Sequence, residues 1–499
     1  MNILTLLDMA AGGFGDRVAI GSQSDGITYA ELLQRAARAG RRFSDDAGDN
    51  VSLLDESSPA LPIALFGAAY AGKPFVPLNY RLADTDLIAL GERTSPASIV
   101  VGAEQRARLD AVAGLVSVER SAFIDATAGG QGLEPSAWSD NPDDIAVLLY
   151  TSGTTGSPKA AVLRHKNLTG YILGSVEFMG AGPDEATLVS VPPYHIAGLA
   201  SLLSSIYAGR RIVQLPSFDA DAWIDTAAQE NITHAMVVPT MLARIVDRMA
   251  ARGESLPGLR AMSYGGGRMP LPVIEQAMDL FPGTAMVNAY GLTETSSTIS
   301  LLGPDDHWIA HANDDPAIRR RLSSVGKPLP TIEVSIRDDE GNPVPAGTPG
   351  EVWVRGEQVA GEYLQQGSKL TVEGWFPTND GGELDDEGYL YVTGRLDDVI
   401  VRGGENISPG EIEDVLHAHP AIEDVAVIGV PSDQWGESIA AVVVGDLDAE
   451  QVSTIVTERL RSSRQPDHVV FRTELPYNET GKLLRRVLRD ELADLGDGS

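Results

Sequence analysis

Cysteine is missing altogether from the 499 residues, so disulfides, thiolate zinc sites and a cysteine nucleophile are excluded. Positive charge is scarce. Against 70 aspartates and glutamates stand 38 lysines and arginines, a net of −32 with the eight histidines neutral. A field of that sign repels nucleic acid and anionic membranes and argues against general binding to either. It also sets a condition: an anionic ligand must be met by local cations. Long apolar runs are missing too. The longest, "ALPIALFGAAYAG" (60–72), is too short to span a bilayer and ends at Lys73. The N-terminus "MNILTLLDMAAGGFGDR" has no basic start and carries Asp8, so it does not read as a signal peptide. A cytoplasmic protein without an integral membrane segment is expected, and the length suggests two to four domains.

Several familiar chemical motifs are also lacking: there is no G-x-G-x-x-G, no G-x-S-x-G elbow and no H-E-x-x-H. His417 and His419 are two apart on a predicted helix, so they point in different directions and do not read as a metal pair. What is present is the loop "YTSGTTGSPK" (150–159), set between the apolar runs "DIAVLLY" and "KAAVLRH". It is not a P-loop, because the fifth residue after Gly153 is Pro158 and the segment after Lys159 reads as a strand. Its glycines, hydroxyls and lysine nevertheless suit phosphate. Taken alone, the same composition describes a polar surface loop.

The middle of the chain has a rhythm. "THAMVVP" (233–239), "LRAMSYGGG" (259–267) and "TAMVNAYG" (284–291) read as strands, separated by the helical stretches "TMLARIVDRMAARG" and "LPVIEQAMDLF". That alternation predicts βαβ units and a parallel sheet, with ligands beyond the carboxyl ends of the strands. Two glycine-bearing loops, "YGGG" and "YGLTE", fall at those ends. After about residue 325 the pattern turns antiparallel. "SPGEIEDVLHAHP" then predicts a helix with Ser408 as N-cap, Pro409 in the first turn and Glu411 completing a capping box. The last hundred residues read as a small α+β unit, with a charged junction at 396–398. No internal repeat is found.

Five segments occur in order: "YTSGTTGSPK" (150–159), "NAYGLTET" (288–295), "GWFPTND" (374–380), "YLYVTGRLDDVIVRGGENISPGEIE" (389–413) and "NETGK" (478–482). Together they resemble the adenylate-forming (AMP-binding) superfamily, which includes acyl- and aryl-CoA synthetases, nonribosomal peptide adenylation domains and firefly-type luciferases. The likeness covers nearly the whole chain and favours the acyl-CoA synthetase or fatty-acid–CoA ligase branch. It implies an α/β fold with a large N-terminal domain (1–396) of mixed and parallel sheets, helices and a β-rich subdomain. A small mobile α+β C-terminal domain (397–499) would turn about a hinge at Asp397.

The resemblance further implies a two-step reaction with ATP, Mg²⁺ and coenzyme A, in which a carboxylic acid becomes an acyl-adenylate and then a thioester. By matching positions, Thr151, Ser152, Gly153, Thr154, Thr155, Gly156 and Lys159 would hold the β- and γ-phosphates. Thr293 and Glu294 would contact phosphate and Mg²⁺, Glu294 as the metal ligand. Gly265, Gly266, Gly267, Ala289, Tyr290 and Gly291 would line the adenine and acyl-carbonyl region. Asp380 and Arg395 would hold the ribose, and Lys482 would bridge carboxylate and α-phosphate. Gly403 and Gly404 would border the pantetheine path. Tyr194 and His195 would gate between acid and thiol, and Val238, Met241, Ser263 and Gly266 would complete the acid pocket. Outside the motif set, each has a plainer reading: Thr293-Glu294 as a helix cap, Asp380 as a turn residue, Lys482 as a surface lysine, His195 as packing.

Lys159, Arg395, Arg402, Lys482, Arg485 and Arg486 fall in or near these motifs and would meet the charge condition. Departures from the family pattern are Asn379 where glycine is usual, Ala160 after Lys159, Arg464 for a lysine, and a short stretch at 41–60. "GGGRM" also departs, placing Arg268 as a possible cation beside the acid pocket. The pocket residues are mostly uncharged, which favours an apolar acid, with fatty acyl expected. Alternatives are an acyl-AMP ligase loading a carrier protein, a luciferase-like oxygenase, and a non-catalytic acyl-AMP-binding regulator.

Overall fold

The computed structural model describes residues 1–129, 138–151, 158–432, 434–478, 482–493 and 495, which form four sheets. The strand–helix rhythm is present where it was expected. Strands His234–Val237, Ala261–Gly265 and Ala285–Leu292 lie parallel and adjacent, with helices Pro239–Arg252 and Leu271–Leu280 between them in sequence. The first helix opens on Pro239, whose fixed φ suits a first turn, and stops at the left-handed Gly253. Its buried residues, Met241, Leu242, Ile245, Val246 and Met249, recur at three- and four-residue spacing, so one face packs on the sheet. Strands Ala186–Val189 and Arg211–Gln214 continue the parallel sheet, and Ser297–Leu302 joins it antiparallel.

A second sheet carries the parallel strands Asn50–Leu54, Phe75–Pro77, Ala97–Val101 and Leu115–Glu119. Next in it comes the antiparallel pair Ile145–Thr151 and Lys159–Arg164, which brackets the 150–159 loop. One apolar core joins this sheet to the first, drawing on Phe75, Leu149, Val189, Leu203 and Ile212. Within that core, helix Ala60–Ala71 is apolar all round and buried over almost its whole length. It packs on helix Tyr29–Asp45, which a Thr28–Glu31 capping box starts.

A four-stranded antiparallel sheet follows, Glu333–Arg337, Gly350–Arg355, Phe376–Leu384 and Leu390–Arg395. The turn Leu396–Asp398 leads into a last sheet whose main strands, Ile422–Ser432 and Gly436–Gly445, run antiparallel. Two apolar clusters there draw only on residues from Ile400 onward. One local expectation fails. Ser408 precedes helix Pro409–His417, but its hydroxyl donates to the Thr393 carbonyl (3.0 Å) rather than capping the helix. Glu411 pairs with Arg464 (3.1 Å) instead of completing a capping box. Among the described residues no helix is long and apolar enough to cross a membrane.

Candidate active site

Parallel strands bring their carboxyl ends to one edge of the first sheet. There Gly265 pairs with Ala289, so the 265–267 and 291–295 loops lie side by side. A Cβ on Gly265 would stand 2.1 Å from the Ala289 carbonyl oxygen, and one on Gly291 would stand 1.9 Å from that of Ser297. Only glycine permits such approaches. Thr293 and Glu294 form the tight turn Thr293–Thr295 just beyond. The Glu294 backbone carbonyl accepts the N–H groups of Ala360 (2.8 Å) and Gly361 (3.0 Å), and its carboxylate Oε1 accepts the Tyr363 hydroxyl.

Tyr363 pairs with Ala161 on the strand that starts at Lys159, and the Lys159 ammonium lies 5.9 Å from the Tyr363 ring centre. Tyr363 thus ties the base of the 150–159 loop to Glu294. No motif in the sequence marks it out, nor Arg93, which donates to the Pro158 carbonyl (2.7 Å) and lies 5.0 Å from the Tyr150 ring centre. The Thr151 hydroxyl donates to the Lys159 carbonyl (3.3 Å). Ser152, Gly153, Thr154, Thr155 and Gly156 lie outside the described residues.

Asp380 sits nearby, buried. Its carboxylate accepts the Tyr290 hydroxyl (2.6 Å) and the Arg395 guanidinium (3.1 Å), and Arg395 also donates to the Thr378 carbonyl (3.0 Å). Burial pushes the Asp380 carboxyl above the usual carboxylate range, while Arg395, Tyr290 and Lys482 pull it back. Burial, reinforced by the Asp380 charge, raises the Tyr290 phenol well above its ordinary value. The departure at Asn379 has a backbone explanation: its φ is +59°, a left-handed conformation that asparagine tolerates where most side chains do not.

His195 caps helix Ile196–Ala208, its Nδ1 accepting the Ala197 N–H (3.2 Å). Burial first, and then the Lys482 charge, lowers its pKa to about 4. The ring is therefore neutral at pH 7, with its proton on Nε2. Lys482 acts electrostatically on both His195 and Asp380, so the C-terminal lysine reaches this edge. It sits on a small hairpin, its N–H donating to the Asn478 side-chain oxygen (2.8 Å). Tyr194 meets Tyr80 edge-on at 5.6 Å. Val238 borders Gly266, and Val238 and Met241 both belong to the buried core on the helix-covered face, while Ser263 is half-buried on the opposite face.

Three arginines in or near the motifs are engaged elsewhere. Arg268 does not serve the acid pocket as a cation, because it pairs with Asp414 on helix Pro409–His417. Arg402 is engaged by Asp467 (2.5 Å) and Arg485 by Glu413 (2.6 Å), so neither supplies free positive charge to this edge. Arg486 is exposed and faces Asp490 (4.0 Å). Gly403 and Gly404 form the turn between Ile400–Arg402 and Glu405–Ile407. Gly403 backs onto Trp435 and Gly404 faces open space, so this pose does not bring them to Glu294 or Asp380. Asp397 lies in the turn before that hairpin, where its charge acts on Arg395.

A family model described as AMP-binding enzyme matches residues 7–364, and one described as AMP-binding enzyme C-terminal domain matches 411–482. The chain belongs to the AMP-binding enzyme family. This AMP-binding enzyme is 32% identical over 489 residues to a 2-succinylbenzoate–CoA ligase of Bacillus cereus (strain Q1), covering 96% of the chain and 97% of the relative. It is 33% identical over 475 residues to a feruloyl-CoA synthase of an Amycolatopsis species, covering 93% of each. Its fold superposes on ATP-bound MatB from Rhodopseudomonas palustris with a TM-score of 0.87 at 29% identity, covering 99% of this chain and 100% of that one. It stands in the acyl-CoA synthetase branch of the family.

The donor set fits Mg²⁺ bound together with a nucleotide. Among the described residues no cluster of three or more histidines and carboxylates could cage a metal. Glu294, with one oxygen committed to Tyr363, offers the other. A small hard cation there would take its remaining oxygens from phosphates and water.

Proposed function

We propose that this AMP-binding enzyme activates a ring-bearing carboxylic acid with ATP and passes the acyl group to coenzyme A. The observation that carries the reading is the convergence of Glu294, Asp380 and Lys482, from three distant parts of the chain, on one sheet edge. A mere binder of acyl-AMP has no need of a lysine brought in from the far end of the sequence.

In the first step a carboxylate oxygen attacks the α-phosphorus, and the bond to pyrophosphate breaks. Asp380, fixed by Tyr290 and Arg395, accepts the ribose hydroxyls. Lys159 and the loop from Thr151 to Gly156 hold the outer phosphates. Gly265, Gly266, Gly267, Ala289 and Gly291 let the nucleotide and the acyl carbonyl approach backbone. Lys482 neutralises charge between the carboxylate and the α-phosphate. Glu294, beside Thr293, would hold Mg²⁺, which would supply positive charge against the phosphates. In the second step the thiol sulfur attacks the acyl carbonyl carbon, the bond to AMP breaks, AMP departs with the electron pair, and the thiol proton passes to solvent. Residues 397–499 turn about Asp397 between the steps and bring Gly403 and Gly404 to the thiol path.

For the acid, an aryl group is favoured over the expected fatty acyl chain. Both curated relatives take their names from aromatic acids. The Tyr194–Tyr80 pair beside His195 also offers ring faces and edges.

ATP–pyrophosphate exchange over a panel of aryl and alkyl acids tests the reading, followed by thioester formation with CoA or with a phosphopantetheinylated carrier. Exchange with aryl acids and transfer to CoA is the expected result. Transfer only to the carrier would overturn the acceptor, and silence with every acid would overturn the reaction. Lys482→Ala should cut exchange by at least about a hundredfold, the scale of removing one preorganised charge-stabilising donor. Thioester formation from supplied acyl-AMP should largely persist.

A further inference from the structure

Gln214 carries two buried polar atoms that the described residues leave unpaired. Among the described residues neither its side-chain oxygen nor its amide nitrogen has a hydrogen-bond partner, and both are sealed from solvent. Such atoms are rare in folded proteins, since an unpaired buried amide is costlier than an apolar side chain of the same shape.

The sheet register places it. Gln214 ends its strand opposite Val189, Val189 pairs with Met236, Met236 with Ser263, and Ser263 with Val287. Residues in register on neighbouring strands share a face, so these five make one row across the sheet. The row differs from its neighbours. Gln214, Met236, Ser263 and Val287 keep partial accessibility, whereas Val213, Leu188, Ala235, Met262 and Met286, one step back along each strand, are shut into the core on the helix-covered face. Val189 packs in one cluster with Ile196, Leu199 and Leu203 of the helix that His195 caps. The row therefore runs between that helix and the sheet, starting near the Gly265 edge where the acid would react. Three strand spacings, about 14 Å, separate Ser263 from Gln214.

We propose that this row is the floor of the acid site and that Gln214 closes its far end as a specificity-determining residue. Its amide takes a neutral hydrogen-bonding group, such as a hydroxyl or ketone, at the distal end of the substrate. A second carboxylate fits less well, because an amide supplies no charge to balance a buried anion. The inference rests on the acid–CoA ligase reading and names its substrate class: ring-bearing or medium-length acids with a polar far end.

The test compares kcat/KM in pyrophosphate exchange for matched acids, cinnamic against 4-hydroxycinnamic acid and octanoic acid against its terminal hydroxy derivative. The wild type should favour the hydroxylated partner by about tenfold or more in at least one pair, because a site built for a hydroxyl rejects the analogue lacking it. In Gln214→Leu and Gln214→Met that ratio should fall to about one or below. The melting midpoint of the ligand-free variants should not drop, since the unpaired amide is gone. No preference in the wild type, or an equal loss for both partners in the variants, would overturn the assignment of Gln214 while leaving the ligase reading standing. Absence of exchange with every acid would overturn the ligase reading, and this inference with it.

Discussion

His195 titrates in a direction that can be measured. Burial and the nearby Lys482 charge hold its folded pKa at about 4, below the ordinary 6.5 of an unfolded histidine. As the pH falls the unfolded chain takes the proton first. The stabilisation is therefore full above about 6.5 and is lost as the pH drops toward 4. His195→Asn keeps an acceptor for the Ala197 N–H and removes the titration. The unfolding free energy of the wild type minus that of this variant should shrink between pH 7.5 and pH 4.5 in urea melts, and parallel curves would refute the assignment. Asn379 offers a backbone test at the same scale. At φ +59°, Asn379→Ala should cost about 1 kcal/mol, and Asn379→Gly much less. Its N–H bond to Glu351 (2.9 Å) survives in both, so equal losses would mean that the side chain rather than the backbone matters. From the sequence Asn379 was visible only as a departure; its positive φ gives the reason the departure is tolerated.

Elements differ in how legible they were. The units running from His234 to Leu292 could be read because each strand, helix and cap is specified by nearby residues, down to Gly253 ending its helix. The turn carrying Glu294 could be placed for the same reason. Tyr363 could not, because its role arises only when the two-residue strand Glu362–Tyr363 pairs with Ala161, far away in sequence. Ser408 misled by satisfying a local rule while its hydroxyl found the Thr393 carbonyl instead. The Tyr363–Glu294 contact yields a prediction for the element it joins. A hydrogen bond to a charged group contributes about 1.5–3 kcal/mol, so Tyr363→Phe should lower kcat/KM for Mg²⁺–ATP by roughly tenfold or more. The melting midpoint should stay close to wild type. Unchanged ATP kinetics would show that Glu294 holds its position without the hydroxyl.

Across the whole molecule, positive charge is mostly spent on internal pairs: Arg402 with Asp467, Arg485 with Glu413, Arg464 with Glu405 and Glu411. Arg395 is paired as well, with Asp380 (3.1 Å), so with a net of −32 the proposed reading leaves the anionic nucleotide chiefly to Lys159 and Lys482. Arg268 has another task. It leaves the 265–267 loop of the large sheet and meets Asp414 on helix Pro409–His417, in the same pose that brings Lys482 within reach of His195 and Asp380. Both side chains are about half exposed, so the pair contributes at most about 1 kcal/mol, enough to shift a balance of poses roughly fivefold. Arg268→Ala should therefore slow pyrophosphate exchange by about two- to fivefold, and high salt should narrow the gap to wild type. Thioester formation from supplied acyl-AMP should be unchanged or faster, because in the proposed cycle that step would follow a turn about Asp397. Reversing the pair, with Arg268→Asp and Asp414→Arg together, should restore exchange. If both steps slowed alike, or the reversed pair failed to recover, the contact would be a surface ion pair with no hold on the reaction cycle.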